Sequence, residues 1–139
     1  MRLLIDTNVV LDVLLKRQPF YKTGMEVLKL CARKNIQEYI SASAVTDIYY
    51  IANKMIKDKR IVRDLLKNLL QVVSVAAVSE KEIIHALELE WNDFEDSVQY
   101  SVALLNTMDG LVTRNPGDYA ESELSVWTPE EVIKLNTDK

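Results

Sequence analysis

Arg2-Leu3-Leu4-Ile5-Asp6-Thr7-Asn8 decides the fold. Three consecutive apolar residues running into a carboxylate have the pattern of a short strand buried on both faces, with Asp6 at its carboxyl end. Val9 to Leu15 reads as a helix, so Thr7 and Asn8 fall in the turn where a side chain caps the first free amides. A strand thus delivers an acid to the rim where open α/β sheets keep their sites. An aspartate between a strand and a helix is also ordinary turn chemistry, and Asp6 needs partners elsewhere in the chain to define a site.

Beyond this unit strands and helices alternate. Tyr21 to Lys34 has helical spacing with Met25, Leu28 and Cys31 on one face, Cys31 reading as core filler, and Glu38 to Ser41 reads as a second strand. From Ala44 to about Ile56 a helix carries Val45, Ile48, Tyr49, Ala52, Met55 and Ile56 on a wide apolar face, suited to the sheet and to a second subunit. Another helix, from about Asp58 to Leu70, sets Arg60, Arg63 and Lys67 against Ile61, Leu65, Leu66 and Leu69. Val72 to Val75 reads as a strand, and Ser79-Glu80-Lys81-Glu82 opens the next helix as a capping box. Val98, Val102 and Leu105 mark a helix beginning near Asn92, and Leu111 to Thr113 is a strand ending in the turn Arg114-Asn115-Pro116-Gly117-Asp118. Leu124 to Trp127 and a capped helix from Thr128-Pro129 close the chain. The order predicts a single α/β domain over residues 1–139 with a mostly parallel central sheet.

The composition bounds the rest. A chain of 139 residues buries one core without staples, and three glycines with three prolines favour helices over a many-stranded barrel. The single Cys31 excludes an internal disulfide and is compatible with a reducing cytoplasm. No apolar run is long enough to span a bilayer, and Asp6 interrupts what would be a signal-peptide core. A net charge of −4 argues against coating nucleic acid by bulk charge. Its distribution is uneven: Asn53 to Lys67 holds six basic residues against Asp58 and Asp64, while Glu80 to Asp96 holds seven acids against Lys81. An acidic pocket beside a basic flank suits a metal-dependent enzyme acting on a phosphate chain.

Four acids are placed to meet at one sheet edge. Asp6 ends the first strand, Asp118 follows the Leu111 strand, Asp47 lies early in the helix after the second strand, and Asp96 opens its own helix. Asp96 three residues after Asp93 also fits a capping arrangement, and Asp118 after Pro116-Gly117 also fits turn closure. Asp47 interrupts an apolar face, where a carboxylate is costly without a partner. Gathered acids repel and raise one another's pKa values; a hard divalent cation, Mg²⁺ or Mn²⁺, resolves that conflict.

Leu4-Ile5-Asp6-Thr7-Asn8, Thr46-Asp47-Ile48-Tyr49-Tyr50, Asp93-Phe94-Glu95-Asp96-Ser97 and Val112-Thr113-Arg114-Asn115-Pro116-Gly117-Asp118-Tyr119 together resemble the motifs of a PIN domain, in order, spacing and total length. The resemblance implies a three-layer α/β/α fold and a Mg²⁺ or Mn²⁺ site held by Asp6, Asp47 and Asp96, with Asp118 as fourth acid. It also implies an endoribonuclease of the toxin kind, with RNA as substrate, an antitoxin protein as partner and a homodimer as assembly. Two positions depart from the pattern: Asp47 is one methylene shorter than the family's usual Glu, and Asn115 competes with Asp118 in the last turn. Thr7, Asn8, Asp93, Thr113 and Asn115 are the supporting polar candidates; Thr7, Asn8 and Ser97 serve equally as caps. Arg114 and the Arg60, Arg63, Lys67 face are candidates for RNA guidance, although a solvated helix face explains the latter more simply.

The expected chemistry is in-line hydrolysis of a phosphodiester. A single histidine excludes a two-histidine ribonuclease within one subunit, and His85 reads as a boundary residue. Two other classes compete. One is RNA or protein binding without turnover, which a cleavage assay on Asp6→Asn and Asp96→Asn variants separates. The other is a phosphatase with Asp6 as nucleophile, which lacks the second acid two residues on.

Overall fold

The computed structural model describes residues 1–137. At its centre lies β1 (Arg2–Ile5), in a five-stranded sheet with β2 (Gln37–Ser41), β3 (Ser74–Ala76), β4 (Gly110–Val112) and β5 (Ser125–Trp127) in the order β3-β2-β1-β4-β5. All four pairings are parallel, with Leu4 opposite Tyr39 on one side and Leu111 on the other. Parallel strands need crossovers, supplied by α1 (Thr7–Leu14), α2 (Tyr21–Lys29), α3 (Ala42–Ile56), α4 (Lys59–Leu69), α5 (Glu80–Leu89) and α6 (Phe94–Leu105); α7 (Pro129–Thr137) follows β5.

Strand alternation divides the interior into two cores. Leu3 and Ile5 point to one face, where Val10 of α1, Val27 of α2, Ile48 of α3 and Val132 of α7 pack with them. Leu4 points to the other, against Ala86 of α5 and Val102 of α6. Each of these β1 side chains is fully buried, a gain of about 1.5–3 kcal/mol apiece. The result is the three-layer α/β/α arrangement expected. Local chemistry sets the helix starts: Glu82 accepts the Ser79 N–H at 2.9 Å, and Thr128 and Glu131 cap reciprocally at 3.0 and 3.1 Å.

Four local expectations change. The cap of α1 is Asp6 itself, whose Oδ1 accepts the Thr7 N–H at 2.7 Å, so Thr7 and Asn8 are helical rather than capping. The helix expected to Lys34 stops at Lys29 and tightens into a 3-10 turn over Leu30–Ala32. It buries Gly24, Val27 and Leu28, leaving Met25 and Cys31 only half-buried, because it crosses α1 at Gly24: a Cβ there would lie 2.9 Å from Val13 Cγ2. β3 begins at Ser74, not Val72, since the N–H groups of Val72 and Val73 both bond Leu69 O and close α4. Finally, the apolar face of α3 is only partly covered, with Tyr50 and Met55 exposed at 73% and 69%, and on α4 Ile61 is exposed while Val62 is buried.

Candidate functional site

The chain passes from β1 to β2 through α1 and α2 on one face and reaches β4 from α5 and α6 on the other. Neighbouring strands β1 and β4 therefore send their connections to opposite sides, opening a crevice beyond their carboxyl ends. Asp6 ends β1, Asp47 lies in the second turn of α3, Asp96 in the first turn of α6, and Asp118 in the 3-10 turn Pro116–Tyr119. All four line one cleft of about 730 Å³, together with Thr7, Asn8 and Asp93.

Asp6 is the most constrained of them. Its Oδ1 takes the Thr7 N–H at 2.7 Å and lies 3.4 Å from Gln99 Nε2, and its Oδ2 accepts the Thr113 hydroxyl at 2.8 Å. The Thr113 oxygen accepts the Asn115 N–H at 3.1 Å. α1, α6 and the end of β4 thus all fix one carboxylate.

Asp96 is half-buried, and its carboxyl is pushed up to about 7, first by burial and then by the charges of Asp93, Asp6 and Asp118; the Tyr119 hydroxyl, 3.5 Å from Oδ1, pulls it back. Tyr119 is itself 2% exposed, and burial followed by Asp6 and Asp96 drives its hydroxyl far above the usual tyrosine range. Asp93 caps α6 by accepting the Asp96 N–H at 3.0 Å. Asp47 acts on a different neighbour: its charge is the largest cause of the raised Glu95 carboxyl, followed by burial and Asp93. The acids therefore form an inner group of Asp6, Asp93, Asp96 and Asp118 and an outer pair of Asp47 and Glu95.

Among the described residues no three His, Cys, Asp or Glu side chains stand close enough to hold one ion together. Two cleft residues, Asn8 and Gln99, nevertheless carry buried side-chain oxygens, Oδ1 and Oε1, with no hydrogen-bond partner. The donor set is all oxygen, which matches a hard divalent cation that retains part of its water shell.

Several sequence candidates lie elsewhere. Thr113 is fully buried and reaches the cleft only through Asp6, and Asn115 is exposed outside it. The Arg114 Nε sits 2.6 Å from Asp12 Oδ2, and its guanidinium stacks 3.9 Å over the Phe20 ring. Arg60, Arg63 and Lys67 are exposed on α4, and none lines the cleft. Ser97 donates to Phe94 O within its own helix. His85 packs away from the cleft, Nδ1 2.7 Å from Ser101 Oγ; that hydroxyl already donates to Ser97 O, so His85 Nδ1 is the donor. Sequence reading missed Gln99, Tyr119, Glu95 and Arg17. Gln99 carried a signal, since it falls three residues after Asp96 on the same helical face.

A parallel α/β sheet whose switch point holds a carboxylate-lined cleft, with neither histidine nor cysteine among its lining, is a narrow structural class. Residues 2–116 match the family model of the PIN domain, and the chain belongs to that family. No curated protein matches it. Among solved structures it is similar to the VapBC2 complex of Rickettsia felis bound to a promoter DNA fragment (21% identity, TM-score 0.72, 92% of this chain and 98% of that one). It is also similar to a toxin-antitoxin complex from Klebsiella pneumoniae (23%, 0.68, 91% and 96%) and to the sarcin-ricin loop cleaving toxin VapC20 of Mycobacterium tuberculosis (16%, 0.63, 78% and 86%). At these identities the likeness establishes the fold.

Proposed function

We propose that this chain is a divalent-cation-dependent endoribonuclease, the toxin of a toxin-antitoxin pair, working in the cytoplasm. The observation that carries the reading is the inner group of acids, in which burial first, and then the charges of Asp93, Asp6 and Asp118, raise the Asp96 carboxyl to about 7. Asp6 and Asp96 would hold the principal Mg²⁺ or Mn²⁺, with Asp47 and Asp118 supporting it or a second ion. A cation held there would neutralise phosphodiester charge and activate water for the hydrolysis. Thr113, Gln99 and the Thr7 N–H orient Asp6, Asp93 holds the start of α6, and Asn8 lends an unpartnered oxygen. Asn115 steadies Thr113 through its backbone. The exposed basic face of α4, with Arg60, Arg63 and Lys67, guides the RNA over a longer range, while Arg114 acts through Asp12.

The toxin assignment draws on the similar structures described as toxin-antitoxin complexes and as an RNA-loop cleaving toxin. Exposed Tyr50 and Met55 on α3 supply an apolar surface for a second copy or an antitoxin. A second reading, RNA or protein binding without turnover, is favoured by the spacing of the acids, no three of which stand at ligating distance among the described residues. Incubation with single-stranded RNA and Mn²⁺ or Mg²⁺ separates the two. We expect cleavage by the wild-type chain and a loss of about a hundredfold or more in Asp6→Asn and Asp96→Asn. Cleavage absent with both ions, or equal in both variants, would leave the binding reading.

A further inference from the structure

Among the described residues the cleft carries one cation beside its acids: Arg17 lines it, and no other described Lys, Arg or His does. A guanidinium among carboxylates ordinarily pairs with one of them, yet the only ion pair of Arg17 among the described residues is with Asp12, outside the cleft, at 3.2 Å from Nε to Oδ1. Asp12 is 1% exposed and is already gripped by Arg114 through both oxygens, at 2.6 and 3.3 Å. One buried carboxylate therefore faces two guanidinium groups, which leaves one positive charge uncompensated. The Arg114 charge is taken up by Asp12 and the Phe20 ring outside the cleft, while Arg17 is the member on the cleft wall.

The backbone fixes where that charge sits. α1 ends in Leu15 and a left-handed Lys16 (φ 51°), which turns the chain back so that the Arg17 N–H bonds Asp12 O at 2.9 Å. The Arg17 carbonyl accepts the Tyr21 N–H at 2.7 Å. The backbone is thus held at N–H and C=O, while Nε lies against Asp12 without a hydrogen bond, so the guanidinium donors remain free to serve a ligand. Those suit a phosphate oxygen, which a guanidinium binds more strongly than a neutral donor does.

We propose that Arg17 binds a phosphate of the RNA backbone within the cleft, and that Asp12 is the positioning residue holding it away from the cleft acids. This rests on the nuclease reading and adds to it the group that receives the substrate. An acidic cleft repels RNA at every carboxylate not covered by a cation; one pinned arginine supplies a fixed attractive point and sets which phosphate lies over Asp6 and Asp96.

The test measures binding separately from turnover. In an Asp96→Asn background with Mn²⁺, the Kd for a fluorescent single-stranded RNA is followed by anisotropy across a salt series. We expect Arg17→Gln to weaken binding about tenfold and to reduce the slope of log K against log salt by about 0.7, the loss of one phosphate contact on a single strand. Arg17→Lys should retain the slope with an intermediate Kd, and Lys134→Gln, an exposed charge on α7 outside the cleft, should change neither. With Asp96 intact, Arg17→Gln should raise KM more than it lowers kcat. An unchanged Kd and slope in a folded Arg17→Gln protein would overturn the inference and leave the nuclease reading intact. A chain that neither binds nor cleaves RNA with Arg17 present would sink both.

Discussion

Replacing Glu38 with methionine should stabilise this protein, and by more at pH 8 than at pH 5. Glu38 sits in β2 on the face that carries Ile40, opposite Leu3 of β1, where it is 2% exposed and both carboxyl oxygens lack hydrogen-bond partners. Burial pushes its carboxyl from the ordinary 4.5 to about 8; the Cys31 backbone opposes this from nearby but falls short of hydrogen-bond geometry. Below pH 4.5 the folded and unfolded chains both carry the proton, and nothing is lost. Between 4.5 and about 8 only the folded chain keeps it, so stability falls with rising pH by at most about 1.4 kcal/mol per pH unit. By pH 7 that amounts to about 3 kcal/mol, and above 8 the loss is complete. Methionine has similar length and no polar atom to bury. After allowance for repacking, the gain at pH 7 should be about 1–3 kcal/mol, a rise in Tm of roughly 5–10 °C for a chain of this size. Urea unfolding of both proteins at pH 5, 6, 7 and 8 isolates the difference between them. A gain that does not change with pH, or a loss at pH 7, would show that Glu38 is ionised or partnered in the folded state and would refute the reasoning.

Other parts of the structure carry their own expectations. In the metal-free protein the Asp96 carboxyl should titrate near 7 by carbon NMR, and because a cation must displace that proton, Mn²⁺ affinity should fall as pH drops below 7; affinity that is flat from pH 5.5 to 8 would contradict this. Gly110→Ala should destabilise by about 2–3 kcal/mol, since a Cβ would lie 2.6 Å from Ser125 O in the neighbouring strand, whereas Gly117→Ala, with open space around it, should stay within about 0.5 kcal/mol of wild type in the same melt. Arg114→Ala should destabilise by about 3 kcal/mol because it strips the bidentate partner from buried Asp12, and Arg17→Gln by clearly less, a ranking that urea unfolding reads directly.

Element order was legible in the chain because its causes are local. Leu3-Leu4-Ile5 has the continuous apolar pattern of a central strand buried on both faces, the Ser79 to Glu82 and Thr128 to Glu131 boxes announce helix starts, and Pro116-Gly117 breaks the chain where the structure turns. The family motifs pointed to Asp6, Asp47, Asp96 and Asp118, and these four do line a single cleft. Element edges were less legible. The end of α2 and the start of β3 depend on Gly24 meeting α1 and on Leu69 taking two amides, neither of which spacing encodes.

The fate of the charged side chains was settled at long range. Arg114 neighbours the acidic turn in the chain yet is spent on Asp12, some hundred residues away, while Arg17, in an unremarkable loop, stands on the cleft wall. Glu38 reads as an ordinary strand residue until Leu3 and the surrounding core enclose it. Periodicity and capping act over a few residues and can be read in order, but a charge is defined by everything within several ångströms of it. Those neighbours are chosen by the strand order that sets β1 between β2 and β4.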